Sequence, residues 1–377
     1  MTIGFDASRA FIKDRSGTEN YSFQLLKALA KIDKTNQYII YIQPQPITYT
    51  IVDRIGKLSD NFQFKEIKWS RLWTQGGLAL RTFKDKLDVL FVPSHTLPVI
   101  RRPGLKTVIT VHDLGSEYLP KMHQVKQRLY LSFMQKVQLK RATKIIAVSK
   151  ATKEDLVKKI GINPKKIEVI YEGFNKDLFK PVKKEKNYFL FVGTIQPRKN
   201  LERIITAFAK LIHLGGVSLD FARDKQAHLR GAGDLQFVIA GQKGWMSDEI
   251  YGLPKKLGIE NRVKFLGYVP DEKLPELYSG AIALVFPSLF EGFGLPILEA
   301  QACGCPVITS NVSSMPEVAG LGAILVDPYD IDDIVNGMKR VQGTGYRVQL
   351  IKTGFENTKR FSWEKCAKET LEVLEQI

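Results

Sequence analysis

Short apolar runs alternate with longer amphipathic segments along most of the chain. The runs have the length of buried strands, and the segments between them repeat their apolar residues at helical spacing. This alternation is typical of parallel sheets covered by helices. In the first half, strands are predicted at Thr2–Phe5, Gln37–Ile42, Asp88–Val92, Thr107–Val111, Lys144–Val148 and Ile167–Ile170, and helices at Glu19–Ile32, Val125–Ala142 and Lys150–Lys158.

A polar, lysine-rich segment, Asn175–Asn187, separates this series from a second one and is predicted to be an interdomain linker. The chain of 377 residues also exceeds what a single core usually supports. We therefore expect two α/β domains with doubly wound parallel sheets, at residues 1–178 and 186–360, that face each other across a cleft. In the second series, strands are predicted at Tyr188–Val192, Gln236–Ala240, Val263–Leu266, Ala281–Phe286 and Pro306–Thr309, helices at Leu201–Ile212 and Leu274–Ser279, and an extended loop at Gly215–Asp234.

The most specific pattern lies between two of these strands, where Glu291 and Glu299 flank a glycine-rich turn. Pro296 suits the first turn of a helix, and Gly304 suits the residue after its end. The N-terminus of such a helix offers free N–H groups and a partial positive charge to a phosphate, while ionised carboxylates accept hydrogen bonds from hydroxyls. Phosphate beside many hydroxyls describes a nucleotide sugar. The alternative is an ordinary glycine-bearing turn with solvated glutamates.

Three further groups follow predicted strands, where a doubly wound fold binds its ligands. Arg198 and Lys199 come after the first strand of the second series, and two adjacent cations can neutralise a departing diphosphate. Gly267 and Tyr268 form a turn that could offer backbone groups to a base. His112 ends a strand of the first series, although a lone histidine is more often structural.

The formal net charge of +17 leaves three classes of partner open: nucleic acid, an anionic membrane surface, or an anionic small molecule. The sequence contains no zinc-finger spacing and no RNA-recognition signature, so we expect no nucleic-acid partner. The densest basic segment, Lys121–Arg141, is predicted to be an amphipathic helix with cations at Lys126, Lys136 and Lys140. Such a helix fits contact with an anionic membrane, or a plain surface position on its own sheet.

Three cysteines cannot form a disulfide framework, and their spacing does not suit a metal site. The first residues lead directly into a strand without the features of a signal peptide, and no apolar stretch reaches the roughly 18 residues that cross a bilayer. We therefore expect a cytoplasmic protein, with peripheral contact at the inner face of the cell membrane as an option.

Together these motifs resemble the family 4 glycosyltransferases of the GT-B fold, which are retaining, nucleotide-sugar-dependent enzymes. The Glu–x7–Glu block within Pro287–Glu299 is the most specific part, and Val192–Asn200 resembles the mannosyl- and rhamnosyl-type transferases of bacterial polysaccharide assembly. The C-terminal residues 361–377 are similar to the segment that crosses back onto the N-terminal domain. The resemblance implies an N-terminal acceptor-binding domain, completed by this segment, and a C-terminal nucleotide-sugar-binding domain of two Rossmann-like units.

The resemblance also implies a role for each matched residue. Glu299 would bind the donor ribose, Glu291 the transferred sugar, and Arg198 with Lys199 the diphosphate. His112 would contact the donor sugar. One departure is Thr194, which stands where many members place an arginine. The implied catalytic residues are thus His112, Glu291, Arg198 and Lys199, and the implied donor-binding residues are Gly17, Gly193, Gly267, Tyr268, Phe293, Gly294, Leu295 and Glu299.

The expected activity is transfer of a hexose, with retention of configuration, from a GDP-mannose-like or UDP-linked donor. The acceptor would be a glycan or lipid-linked sugar in cell-surface polysaccharide assembly. The resemblance implies neither a metal nor another cofactor, since no Asp–x–Asp segment lies where a metal would bridge the phosphates. The alternatives are a catalytically silent nucleotide-sugar-binding protein, and an epimerase or phosphorylase on the same fold.

Overall fold

The computed structural model describes residues 1–12, 17–44, 59–69, 71–94, 96–114, 136–184, 187–214 and 235–377. These residues form two compact units. Unit 1 comprises Met1–Gly173 and Ser362–Ile377, and unit 2 comprises Phe174–Phe361. The predicted loop Gly215–Asp234 and most of the predicted basic helix lie outside the described residues.

The described part of unit 1 contains a parallel sheet of seven strands in the order β3-β2-β1-β4-β5-β6-β7. Its central strands are buried along nearly their whole length, which explains their continuous apolar runs. The strand order reverses direction between β1 and β4. The strands are β1 Thr2–Asp6, β2 Gln37–Ile42, β3 Phe62–Glu66, β4 Val89–Val92, β5 Lys106–Val111, β6 Lys144–Ala147 and β7 Ile167–Val169.

The described part of unit 2 repeats this plan with six parallel strands in the order β10-β9-β8-β11-β12-β13. Here the order reverses between β8 and β11, which are neighbours in the sheet. The prediction of two α/β units with doubly wound parallel sheets is therefore confirmed. The strands are β8 Tyr188–Val192, β9 Gln236–Ala240, β10 Val263–Gly267, β11 Ala281–Phe286, β12 Val307–Ser310 and β13 Ala323–Val326.

Eleven α-helices with assigned bounds cover these sheets in the described residues. No described helix is both long enough and apolar enough to cross a lipid bilayer. The helices are α1 Gly17–Ile32, α2 Ala79–Lys84, α3 Lys150–Asp155, α4 Leu201–His213, α5 Asp248–Lys256, α6 Leu274–Ser279, α7 Leu295–Ala302, α8 Met315–Ala319, α9 Ile331–Arg340, α10 Thr344–Thr358 and α11 Trp363–Glu375.

Two strands have no counterpart among the sequence predictions, and both lie at a sheet edge. Strand β3 exposes Gln63 and Phe64 to solvent, and β13 exposes Leu325. Strand β3 is only partly buried, so polar residues interrupt the apolar run by which the central strands are predicted. Strand β13 is a short apolar run that was not predicted. The predicted helix Lys150–Lys158 also differs, because the α-helix ends at Asp155 and continues as a π-helical turn, Leu156–Ile160.

The C-terminal helix α11 belongs to unit 1, where it packs along α1. Lys31 and Glu364 form an ion pair between the two helices, and the ring of Tyr21 packs edge-on against Trp363. Gly173 lies so close to the start of α11 that a Cβ atom there would come within 2.2 Å of the backbone nitrogen of Trp363. Only glycine fits at this position.

The beginning of the segment predicted as a linker packs onto unit 2. Phe179 is buried against the ring of Tyr278, with 6.1 Å between the ring centroids. The backbone N–H of Val182 donates to the Ser279 hydroxyl over 2.9 Å. These contacts order the segment up to Val182, so the change from unit 1 to unit 2 occurs earlier, at Gly173.

Candidate functional site

The main cluster of charged residues in unit 2 lies where its sheet order reverses. Strands β8 and β11 are neighbours there, and each is followed by a loop at its carboxyl end. The loop after β8 contains a short 3₁₀ turn, Pro197–Lys199, and the loop after β11 leads through Gly294 into α7. The carboxyl ends of adjacent parallel strands meet at one edge of the sheet, which brings these two loops together.

Glu291 links the two loops through a pair of short ion pairs. Its Oε2 atom lies 2.6 Å from Nη1 of Arg198, and its Oε1 atom lies 2.6 Å from Nζ of Lys199. Glu291 and Lys199 are both buried, and the ammonium group of Lys199 also lies 4.8 Å from the centroid of the Phe286 ring. Burial alone would raise the pKa of Glu291, but the charges of Arg198 and Lys199 lower it from 4.5 to about 2. The carboxyl group therefore stays ionised at neutral pH.

Backbone and side-chain hydrogen bonds hold this cluster in place. The side-chain amide of Asn200 donates to the carbonyl oxygens of Pro287 and Pro328, over 3.0 and 2.7 Å. The backbone N–H of Leu289 donates to the carbonyl oxygen of Arg198 over 2.9 Å. The Ser314 hydroxyl lies 3.0 Å from the Glu291 carbonyl oxygen. These hydrogen bonds connect the two loops in addition to the ion pairs.

Glu299 lies one turn into α7 and has a different environment. Gly294, with φ +105°, caps this helix, and Gly304, with φ +66°, follows its end, where the sequence placed it. The phenolic O–H of Tyr278 donates to Glu299 over 2.7 Å. Burial raises the pKa of Glu299 from 4.5 to about 7. The hydrogen bond from Tyr278 lowers this pKa, and the charge of Asp271 raises it.

His112 lies in unit 1, at the end of β5, with both ring nitrogens engaged. Nδ1 is 3.2 Å from Oε1 of Glu172, and Nε2 is 3.0 Å from the carbonyl oxygen of Pro93. A carbonyl and an ionised carboxylate only accept hydrogen bonds, so the two contacts together favour the doubly protonated, positively charged ring. Burial would lower the pKa of His112, but the hydrogen bond and charge of Glu172 raise it above 6.5. Protein groups engage both ring nitrogens in this arrangement, and the contact with a donor sugar stays a prediction.

The remaining predicted site residues are distributed between the two units. Gly17 begins α1 in unit 1. Gly193 follows β8 with φ +146°, and a Cβ atom there would lie 3.8 Å from Nζ of Lys199. Gly267 ends β10 with φ +68°, and the next residue, Tyr268, is exposed. Phe293 packs into unit 2 against Phe361, and Leu295 is the first residue of α7.

A cavity of about 410 Å³ opens in unit 1 at the carboxyl ends of β1, β2 and β4. The indole N–H of Trp73 is more than nine-tenths buried and has no hydrogen-bond acceptor among the described residues. Arg9 forms an ion pair with Glu19 over 3.0 Å and keeps half of its side chain exposed. The cavity is lined by Ser8, Arg9, Ile12, Gln43, Leu72, Trp73, Thr74, Gln75 and Thr96.

Several residues of these sites were not predicted from the sequence. Tyr278 and Trp73 lie in no motif, and their roles, like that of Glu172, arise from tertiary contacts with residues distant along the chain. Asn200 ends the motif Val192–Asn200, and this motif is the local signal that could identify it as a site residue. Within the described residues, no three His, Cys, Asp or Glu side chains are arranged to hold a metal ion.

Comparison with known proteins matches two family models to this chain. "Glycosyltransferase Family 4" covers residues 15–178, and "Glycosyl transferases group 1" covers residues 174–354. O-antigen chain mannosyltransferase B of Escherichia coli is 30% identical over 306 residues, which are 78% of this chain and 75% of that protein. O-antigen chain mannosyltransferase RfbU of Salmonella typhimurium is 28% identical over 88% of each chain.

Solved structures similar to this chain have the same two-unit fold. Sucrose-phosphate synthase of Thermosynechococcus elongatus matches with a TM-score of 0.78 at 20% identity, over 100% of this chain and 98% of that one. Anabaena HepE in complex with UDP and glucose matches with a TM-score of 0.74 at 18% identity, over the whole of both chains. The expected GT-B fold is confirmed.

The environment of His112 generates a prediction about its ionisation. We expect its imidazole to titrate above pH 6.5, and Glu172→Gln to lower the pKa, because the amide carries no charge to stabilise the imidazolium. Nitrogen-15 NMR of the histidine side chains, recorded between pH 5 and 9, measures both values. His213, exposed on unit 2, is the internal control, and its signals should be the same in both proteins. A neutral, singly protonated His112 ring at pH 6 in the wild-type protein would contradict this assignment.

Proposed function

The chain belongs to the family 4 and group 1 glycosyltransferases, and from this premise we propose that it elongates a cell-surface glycan by hexose transfer from a nucleotide-diphosphate sugar. That it is a hexosyltransferase follows from the family. The observation that carries the proposal is the Arg198–Glu291–Lys199 cluster beside the N-terminus of α7. Relatives that are O-antigen mannosyltransferases, matched over three quarters or more of their length, support polysaccharide assembly.

The cluster supports binding of the donor diphosphate in exchange for Glu291. Without a ligand, the three side chains carry a net charge of +1, since one carboxylate neutralises one of the two cations. A diphosphate brings oxygens that accept hydrogen bonds from both cations, and its negative charge suits the partial positive charge at the N-terminus of α7. As it takes over Arg198 and Lys199, the carboxylate of Glu291 becomes available to hydroxyls of the transferred sugar.

The same cluster supports a retaining transfer without a covalent enzyme intermediate. In the ligand-free arrangement the two cations lower the pKa of Glu291 to about 2, so the carboxylate is a weak general base there. The acceptor hydroxyl would instead attack from the side on which the diphosphate departs, with a donor phosphate oxygen receiving its proton. Arg198 and Lys199 would stabilise the charge that grows on the leaving group.

GDP-mannose is the donor that the relatives favour, and a UDP-linked hexose is the second candidate. Mannosyltransferases of O-antigen chains are 28–30% identical to this chain, whereas the UDP-bound HepE structure is 18% identical and supports the fold alone. Within unit 2, Gly267 and exposed Tyr268 would contact the base, and Glu299 the ribose.

The cavity in unit 1 supports this unit as the one that binds the acceptor. Its volume of about 410 Å³ is within the usual range of small-molecule sites, and Ser8, Thr74 and Thr96 bring hydroxyl groups to its wall. The buried indole N–H of Trp73 has no acceptor among the residues that the structure describes, and an oxygen of the ligand would supply one. We infer that the terminal sugar of a glycan or lipid-linked acceptor binds here, with the enzyme at the cytoplasmic face of the membrane.

Transfer of mannose tests the function directly. Purified protein is incubated with GDP-mannose and methyl α-mannoside, and the disaccharide and released GDP are measured by mass spectrometry, with UDP-glucose in parallel. We expect the double variant Arg198→Gln/Lys199→Gln to slow transfer at least about a hundredfold, since loss of a single such stabilising donor typically costs that much. Exposed Lys255→Gln/Lys256→Gln on α5 is the matched control. Tight donor binding without release of nucleotide, with any donor, would favour the silent binding protein.

Donor affinity should depend on pH through Glu299. As the pH falls from 8 to 6, its carboxylate becomes protonated and accepts fewer hydrogen bonds from the ribose, so affinity for GDP-mannose should fall. Glu299→Gln should bind about tenfold more weakly at pH 8 and show little change with pH. Calorimetry with the nucleotide sugar avoids the terminal phosphate of GDP, which titrates in the same range. Glu276→Gln on α6 should behave as the wild type. An affinity that is constant between pH 6 and 8 in the wild type would count against the ribose role.

Acceptor recognition should depend on the indole N–H of Trp73. Trp73→Phe keeps an aromatic ring and removes the donor, so we expect KM for methyl α-mannoside to rise about fivefold, which corresponds to about 1 kcal/mol for one hydrogen bond. KM for the donor should stay constant. The stability of the protein should not fall through loss of a hydrogen bond, because no described residue accepts one from this N–H. Trp69→Phe, outside the cavity, is the control. Equal acceptor KM values in wild type and Trp73→Phe would place the acceptor elsewhere.

A further inference from the structure

We propose that unit 1 docks onto an anionic lipid bilayer through one exposed face, built from Trp69, helix α2 and residues 97–102. We call this surface the docking face. The inference rests on the proposed function only in linking the docking face to a lipid-linked acceptor. It identifies a surface other than residues 121–135 of the predicted basic helix, which lie outside the described residues.

The docking face exposes large apolar side chains from separate parts of the chain. On α2, Ala79 and Thr82 point inward, while Leu80 and Phe83 remain 42% and 51% exposed. Trp69, 45% exposed, lies across Gly76, where a Cβ atom would come within 2.6 Å of its indole ring. Single exposed apolar residues are common on soluble proteins, but a cluster that includes tryptophan and phenylalanine is typical of an interaction surface.

Residues 97–102 lie beside α2 and extend the cluster. The side-chain oxygen of Gln75 accepts a hydrogen bond from the backbone N–H of Val99 over 2.9 Å. The hydroxyl oxygen of Thr82 accepts one from the backbone N–H of Arg102 over 3.0 Å. Between these two attachments, Ile100 is 71% exposed. The apolar side chains are therefore displayed by a hydrogen-bonded framework.

The charges on this face are of one sign. From Trp69 to Lys84 the sequence contains no aspartate or glutamate, while Arg71, Arg81 and Lys84 contribute positive charge. None of these three cations forms an ion pair with another described residue. The next carboxylate, Asp85, is buried and accepts hydrogen bonds from the Tyr41 hydroxyl and the Lys65 ammonium.

Neighbouring residues extend the positive surface. Lys68 and Lys86 flank the same stretch and are exposed. The guanidinium of Arg101 donates to the carbonyl oxygen of Arg141, and the Gln138 side chain accepts from the backbone N–H of Leu97. The described end of the basic helix, with exposed Lys140 and Arg141, is thus attached to the docking face.

An anionic bilayer surface complements these exposed apolar side chains and positive charges better than nucleic acid does. Aromatic and aliphatic side chains insert at the headgroup level, and each nearby Lys or Arg adds about 1 kcal/mol of attraction to anionic lipid. Nucleic acid would be attracted to the cations but offers no counterpart to Leu80, Phe83 and Ile100. A π-helical turn, Thr74–Leu78, joins the cavity-lining residues Leu72–Gln75 to α2, so docking brings the proposed acceptor cavity to the lipid surface.

Vesicle flotation tests the docking face. Full-length protein is mixed at low salt with vesicles of phosphatidylglycerol and phosphatidylcholine, or of phosphatidylcholine alone. We expect flotation with the anionic vesicles only, reduced at high salt, and an apparent affinity at least about tenfold lower for Leu80→Ser/Phe83→Ser. Leu321→Ser/Val348→Ser, which removes two exposed apolar side chains from unit 2, should float like the wild type. Circular dichroism confirms that each variant is folded.

Two results would overturn the inference: wild-type protein that does not float with anionic vesicles, or Leu80→Ser/Phe83→Ser that floats as the wild type does. Binding of a protein partner through this face without vesicle binding would also contradict it. Transfer to methyl α-mannoside in solution keeps the two proposals separate. The Leu80→Ser/Phe83→Ser variant should retain wild-type activity there, since it touches neither the charged cluster nor the cavity. Protein that floats as expected but transfers no sugar would support the docking face and contradict the proposed function.

Discussion

The Glu291 carboxylate, shared between Arg198 and Lys199, is the interaction on which the proposed donor site depends. Two cations side by side near the edge of a sheet repel each other, and burying either without a partner would cost several kcal/mol. Glu291 offsets this cost before any ligand is present. The carboxylate thus occupies the electrostatic position that a diphosphate would take, and it keeps both cations oriented toward one point.

The two glutamates of the same motif show how environment separates identical side chains. Two cations hold the pKa of Glu291 at about 2, whereas burial raises the pKa of Glu299 to about 7 against the hydrogen bond from Tyr278. The first stays charged across the physiological range, and the second changes its charge within it. Carboxyl groups whose pKa values are separated in this way can perform different tasks in one site. Here Glu291 organises two cations, and Glu299 would present a titratable acceptor to the hydroxyls of the proposed donor.

The sequence predicts the central strands and the motif residues well, because burial on both faces leaves a continuous apolar run and the glycine turn has a distinctive spacing. It does not predict which motif residues meet. Arg198 and Glu291 are 93 residues apart, and they touch because β11 returns to pair with β8 after β9 and β10 have formed the other side of the sheet. Edge strand β3 lacks the buried pattern. The roles of Glu172, Tyr278 and Trp73 depend on side-chain directions, which no local pattern encodes.

The positive charges that contribute to the net charge of +17 act differently in the two units, because some are buried and others are exposed. Lys199 is buried, paired with Glu291 and fixed to within hydrogen-bond distance, so its interactions are specific and weakly screened by salt. Arg71 and Lys84 are exposed and form no ion pair with a described residue, so they act over about a Debye length and do not select a single geometry. A positive charge of the first kind can recognise one diphosphate. A positive charge of the second kind can only concentrate the protein at an anionic surface, and it needs apolar neighbours such as Leu80 and Phe83 to hold it there.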